Sequence, residues 1–119
     1  MNLKELLLSP KGRINRKKYI LSSLGIGLST VIVAVFLMVS GACLGDAFAG
    51  IAGLIVLIMY ALCVYIQIVL QIKRWHDLGK TGWFVLLGFI PIVGIIAICF
   101  LLFVKGTDGN NNFGNDPLA

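Results

Sequence analysis

The chain has 119 residues, of which 59% are hydrophobic and only 13% are charged, with a net charge of +5 at neutral pH. A water-soluble domain of this size needs a polar face on every helix, and a transmembrane barrel needs short segments of alternating polarity. The chain has neither, which leaves an all-α integral membrane protein, expected as a three-span helical bundle.

Residues 1–18 form a basic segment carrying Lys4, Lys11, Arg13, Arg16, Lys17 and Lys18. Leu3, Leu6 and Leu7 share one helical face opposite Lys4 and Glu5, which predicts a short interfacial helix on the inner leaflet. Two turns are marginal in isolation, so a frayed terminus is the competing expectation. Ser9-Pro10 and Lys11-Gly12 end it. Arg13, Arg16 and Lys17 then share a helical face, suited to snorkelling toward phosphates, and Tyr19 suits an interfacial anchor.

Two long charge-free stretches follow, span one at 19–45 and span two at 47–72. About 20 helical residues cross a ~30 Å hydrocarbon core, so each is long enough. The first is too long for a signal peptide and lacks a small-residue cleavage site, so it is expected to be retained. Ser22, Gly25 and Ser29, then Gly41-x-x-x-Gly45, are small residues that let helices approach closely. The short joint at Asp46 predicts an antiparallel hairpin.

In span two, Tyr60, Cys63, Gln67, Gln71 and Arg74 recur at steps of three or four and form one polar stripe. Such side chains face the interior of a bundle. Helix-to-helix hydrogen bonding is the first expectation. A lined transport path through Tyr60, Gln67 and Gln71 is the alternative.

The second joint, 73–82, reads K-R-W-H-D-L-G-K-T-G. Lys73 and Arg74 suit the negative pole of the preceding helix, and Leu78-Gly79 predicts its stop. Asp77 is expected to pair with Arg74 or with the basic N-terminal segment. Arg13, Arg16, Lys73, Arg74, His76, Asp77 and Lys80 together form a candidate site for an anionic head group or an acidic partner. His76 and Asp77 are sequence neighbours, which do not face each other on a helix, and no nucleophile accompanies them. No catalytic residue is assigned.

The third apolar stretch, 83–104, contains Gly88, Pro91 and Gly94. Pro91 predicts a kink, and the stretch is long enough to cross once. A version that dips in and returns around Ile90 to Gly94 is the alternative, with the tail on the inside. The tail, 105–119, is irregular and rich in the turn formers Gly, Asn and Asp. It is expected to be flexible, with an ordered cap around Phe113 as the other outcome.

Cys43, Cys63 and Cys99 lie in apolar spans without metal-ligand spacing, so no metal or cofactor is expected. The cations concentrate before span one and between spans two and three. Positive-inside logic then places the N-terminus in the cytoplasm and the C-terminus in the periplasm. The expected partners are membrane lipids, copies of the chain or another membrane protein, and not nucleic acid.

Four ordered signatures run along the chain. They are Gly12-Arg13 with Arg16 and Tyr19, then Arg74-x-His76-Asp77-x-Gly79-Lys80-x-Gly82-Trp83, then Ile90-Pro91 with Gly94, then Gly106-x-x-Gly109 with Asn112-x-x-Gly114-x-Asp116-Pro117. From about Leu3 to Pro117 the chain resembles the YhaH/YhaI-like bacterial inner-membrane family, a domain of unknown function. The resemblance implies a multi-pass helical protein of the bacterial inner membrane with no assigned catalytic residues. The resulting expectation is a small non-enzymatic protein acting through helix packing in a homo-oligomer or membrane complex. A transport or channel component, and binding of an anionic lipid or phosphate-bearing ligand at the joint, are the alternatives.

Overall fold

The structure is a computed structural model and describes residues 2–117. Its elements are α1 (Leu3–Leu8), α2 (Arg16–Leu44), α3 (Asp46–Asp77), a 3-10 helix (Gly82–Phe89) and α4 (Pro91–Phe103). The chain divides into two compact units, one made of Met1–Ser23 with Ile66–Ala119 and the other of Leu24–Tyr65.

Caps set the helix boundaries. The Asn2 side chain accepts from the Glu5 amide at 2.8 Å and starts α1. The Asn15 side chain does the same for the Lys18 amide at 2.8 Å and starts α2. The two long helices have 29 and 32 residues, so each is long and apolar enough to cross a membrane. α3 stops as the sequence predicts. The amide of Lys80 donates to the Trp75 carbonyl and that of Gly79 to the His76 carbonyl, with Gly79 at φ +77°.

The third apolar stretch departs from the expected single span. It breaks at Ile90, whose extended backbone (φ −94°, ψ 120°) separates the 3-10 helix from the 13-residue α4. α4 is only ~20 Å long, short of a bilayer core. Pro91 is the cause: its ring holds the preceding residue out of the helical region, and it can only begin the next helix. Glycine then lets the two arms fold together. A Cβ on Gly94 would stand 2.8 Å from the Gly88 carbonyl oxygen, so the backbones touch where side chains are missing.

The unit that combines both ends of the chain has its own core: Leu6, Ile14, Tyr19, Leu70, Trp75, Ala97 and Leu101. Leu70 and Leu101 are 0% and 1% exposed, and truncating such a leucine to alanine costs about 2–5 kcal/mol. A short helix is present at the N-terminus, with Leu6 on its buried face.

The other unit, Leu24–Tyr65, buries little. Phe36, Leu57 and Tyr60 are exposed, and only Gly41 and Ala52 are buried. At Gly41 a Cβ would lie 2.9 Å from the Ala49 Cα, so small residues bring the two helices into contact here. Apolar side chains facing outward suit lipid, in which helices satisfy their own backbone groups. Thr30 likewise returns its hydroxyl to the Ile26 carbonyl at 2.8 Å.

Candidate functional site

Four charged side chains are buried in the first unit: Arg13, Lys73, Arg74 and Asp77. Charges leave water at little cost only when they are hydrogen-bonded or paired; all four are hydrogen-bonded, and Arg13, Arg74 and Asp77 are ion-paired as well. Arg13 donates through Nε and NH2 to Asp77 Oδ1, at 3.2 and 3.0 Å. Its NH2 also reaches the Thr107 carbonyl at 2.7 Å, and its NH1 the carbonyls of Gly109 and Gly114 at 2.8 and 3.3 Å. Arg74 takes the other oxygen of Asp77 with NH1, while its Nε and NH2 donate to the Leu101 and Val104 carbonyls. Asp77 therefore lies between two guanidiniums, and its own carbonyl accepts from the Thr107 amide at 2.7 Å.

The cations also complete helix ends. The last carbonyls of a helix lack partners and carry partial negative charge. Arg74 and Arg16 supply donors to α4, with Arg16 reaching the Phe103 carbonyl at 2.9 Å. The Lys73 ammonium does the same for α1, donating to the carbonyls of Glu5 and Leu6. Burial, with help from nearby Lys18, lowers the Lys73 pKa to about 8, against the pull of Glu5.

His76 organises the tail. Its Nδ1 stands 3.0 Å from the Gly12 carbonyl, which can only accept, so Nδ1 carries the proton. Its ring stacks on Phe113 with centroids 4.3 Å apart and planes at 4°. Its carbonyl accepts from the Asn111 amide group at 2.9 Å. Burial lowers the His76 pKa, opposed by the Gly12 hydrogen bond. Burial also raises the Asp77 pKa, against Arg13 and Arg74. Beyond His76 the tail closes on itself: Asn111 and Gly114 exchange backbone hydrogen bonds, and Asp116 accepts from the Gly109 amide. The described part of the tail is irregular and tied by hydrogen bonds to Arg13, His76 and Asp77.

The structure thus brings Arg13, Lys73, Arg74, His76 and Asp77 together, and uses them internally. Arg16 lies nearby at the surface, and the Lys80 side chain stays exposed without an ion pair or hydrogen bond among the described residues. The joint and the tail, expected on opposite sides of a bilayer, meet directly: the Thr107 amide donates to the Asp77 carbonyl, and Arg13 donates to the carbonyls of Thr107, Gly109 and Gly114. Within the polar stripe, Gln67 accepts from the Ser23 hydroxyl at 2.6 Å and donates to the Ser23 carbonyl at 3.0 Å. Gln71 is half-buried near Gly88, and Tyr60 is 63% exposed in the other unit.

Sequence reasoning assigns no site role to Gly106, Asn111 or the carbonyls of Leu101, Val104 and Thr107. A Cβ on Gly106 would overlap the Asp77 carboxylate, so only glycine fits. Backbone acceptors leave no residue-type signal. The glycine and asparagine spacing of the tail was the one available hint. Clefts of different character accompany the network. A polar one of about 530 Å³ is lined by Glu5, Lys18 and Asp116 among others. An apolar one of about 220 Å³ lies between the 3-10 helix and α4, with Trp75 at its back and Lys80 on its wall.

The family described as protein of unknown function (DUF805) matches residues 7–115. Inner membrane protein YhaH of Escherichia coli (strain K12) is 32% identical over 108 residues, covering 90% of this chain and 85% of YhaH. Inner membrane protein YhaI of the same strain is 35% identical over 60 residues, covering 50% of this chain and 51% of YhaI. The chain thus spans about half the length of YhaI. No solved structure matches. With the family match covering nearly all of the chain, and relatives that are inner-membrane proteins, this chain belongs to the DUF805 family, whose function is unknown.

Proposed function

We propose that this chain is a non-enzymatic inner-membrane protein that works by helix packing, with copies of itself or with another membrane protein. In this reading α2 and α3 cross the bilayer. The Gly82–Phe103 hairpin enters the inner leaflet and returns. The N-terminus, second joint and tail all lie in the cytoplasm. Positive-inside logic supports the placement of the first two, and the tail's hydrogen bonds to Arg13 support the placement of the third.

One observation carries the packing role. Gly41 is filled by contact within the chain, whereas Gly25, Gly50 and Gly53 each face open space where a Cβ would stand. Small residues on a lipid-facing helix are most useful where a second helix approaches. The buried cations add support, because their described donors are engaged within the protein. The Gln67–Ser23 pairing favours packing over permeation for that part of the stripe.

Disulfide crosslinking in native membranes tests this. With the three native cysteines replaced by alanine, a Gly50→Cys chain is expected to trap a dimer or a mixed complex. A Gly50→Leu, Gly53→Leu double variant is expected to lose the association seen by energy transfer between labelled chains. A chain that stays monomeric and alone at every expression level overturns the reading.

A further inference from the structure

The apolar cleft is built differently from an ordinary lipid-facing surface. Its back wall is Trp75, 4% exposed, with its ring 5.3 Å from Phe84 and 5.9 Å from Phe100, centroid to centroid. Leu87 and Val93 line its far end, near the Pro91 turn, and Ala97 keeps the floor open. From Val93 to Phe100 the groove runs ~10 Å along α4. Its lining is almost wholly apolar, and Lys80 is the one charged residue on it.

The ends of the cleft are chemically different. Lys80 lies in the turn after α3, beside Trp83, which is 78% exposed at the start of the 3-10 helix. An exposed tryptophan next to a lysine marks the level of the head groups. The apolar end therefore points into the leaflet and the cation sits at its surface. A free phosphate would leave the groove unfilled, and a neutral chain would leave Lys80 unpaired.

We propose that this cleft holds one acyl chain of an anionic phospholipid, with the lipid phosphate on the Lys80 ammonium. Aromatic walls and the small Ala97 receive the chain, and Lys80 selects the head group. The inference rests on the hairpin lying in the inner leaflet, and the experiment separates the two.

Trp75 and Trp83 are the only tryptophans, so a full-length Trp83→Phe protein reports from the cleft alone. It is reconstituted in phosphatidylcholine vesicles containing a minor fraction of lipid brominated on the acyl chain, either phosphatidylglycerol or phosphatidylcholine. Trp75 fluorescence is expected to be quenched with about fivefold preference for the anionic lipid, the equivalent of ~1 kcal/mol for one surface cation. Lys80→Gln is expected to bring the two lipids level, and Lys80→Glu to reverse the order. Both changes are at an exposed side chain, so the fold is retained. Equal quenching by both lipids in the Lys80 protein overturns the head-group selection while leaving the hairpin in the leaflet. Quenching by neither overturns the leaflet placement and the proposal with it.

Discussion

Arg13 and Asp77 stand 64 positions apart in the sequence and meet as an ion pair at 3.0 Å, with side chains 1% and 4% exposed. Arg74 holds the other carboxylate oxygen. Asp77→Asn removes the only negative charge between two buried guanidiniums. Breaking a buried pair from one side costs about 3–5 kcal/mol, because the remaining charge is uncompensated. The variant is expected to melt well below the parent in detergent and to expose its tail to protease. Arg13→Lys is expected to resemble it, since an ammonium cannot bridge Asp77 and three tail carbonyls at once. A parent-like melting point for both variants would show that the network is not structural.

Much of this was legible beforehand, and the part that was not has a physical cause. The apolar lengths of 19–45 and 47–72, the Leu78-Gly79 stop and the amphipathic α1 follow from local rules. Asp77 was expected to choose between Arg74 and the N-terminal cations; it takes both, one on each oxygen. The tail's contacts leave no trace in the sequence because its partners for Arg13 are backbone carbonyls brought near only by the fold. Pro91 was read as a kink because a proline interrupts a helix to any degree. Contact between Gly88 and Gly94, not proline alone, turns the interruption into a reversal.

Two glycines hold these contacts and neither tolerates a methyl group. Gly106→Ala drives a Cβ into the Asp77 carboxylate, and Gly94→Ala drives one to 2.8 Å from the Gly88 carbonyl. Overpacking costs typically 1–3 kcal/mol. Gly106→Ala is expected at the top of that range, because it displaces a buried charge. Gly50→Ala, where a Cβ meets open space, is the control and is expected to leave monomer stability within about 0.5 kcal/mol. Thermal denaturation of the three proteins in one detergent orders them, and a Gly106→Ala protein as stable as Gly50→Ala contradicts the contact.

Tail docking depends on a neutral His76. The folded state lowers its pKa below the ordinary 6.5, mainly by burial. A lowered value means that the docked tail favours the neutral ring. Its contribution is complete above pH 6.5 and is lost as pH falls through the folded value. Protection of the 105–117 amides from hydrogen exchange is therefore expected to weaken between pH 7 and pH 5. Asp77, whose pKa burial raises, and Asp116 also border this region, so the histidine needs isolating. His76→Phe keeps a ring against Phe113 and removes the proton. It is expected to flatten the profile across that interval, and an unchanged profile would assign the transition to the carboxylates.

On the proposed reading, the hydrogen bonds from Arg13 to the Gly109 and Gly114 carbonyls put the N-terminal segment and the tail on one side of the membrane. On the orientation proposed above, in which the six Lys and Arg residues before the first apolar stretch face the cytoplasm, that side is the cytoplasmic one. Green fluorescent protein fused after Ala119 is therefore expected to fluoresce, and alkaline phosphatase fused at the same point to be inactive. The opposite pair of results would mean that 83–104 crosses the bilayer. Arg13 would then be parted from its tail carbonyls, and Arg74 from the Leu101 and Val104 carbonyls at the end of α4. Buried guanidiniums stripped of several acceptors are too costly to persist, so the fusion result decides the hairpin and the charged network together.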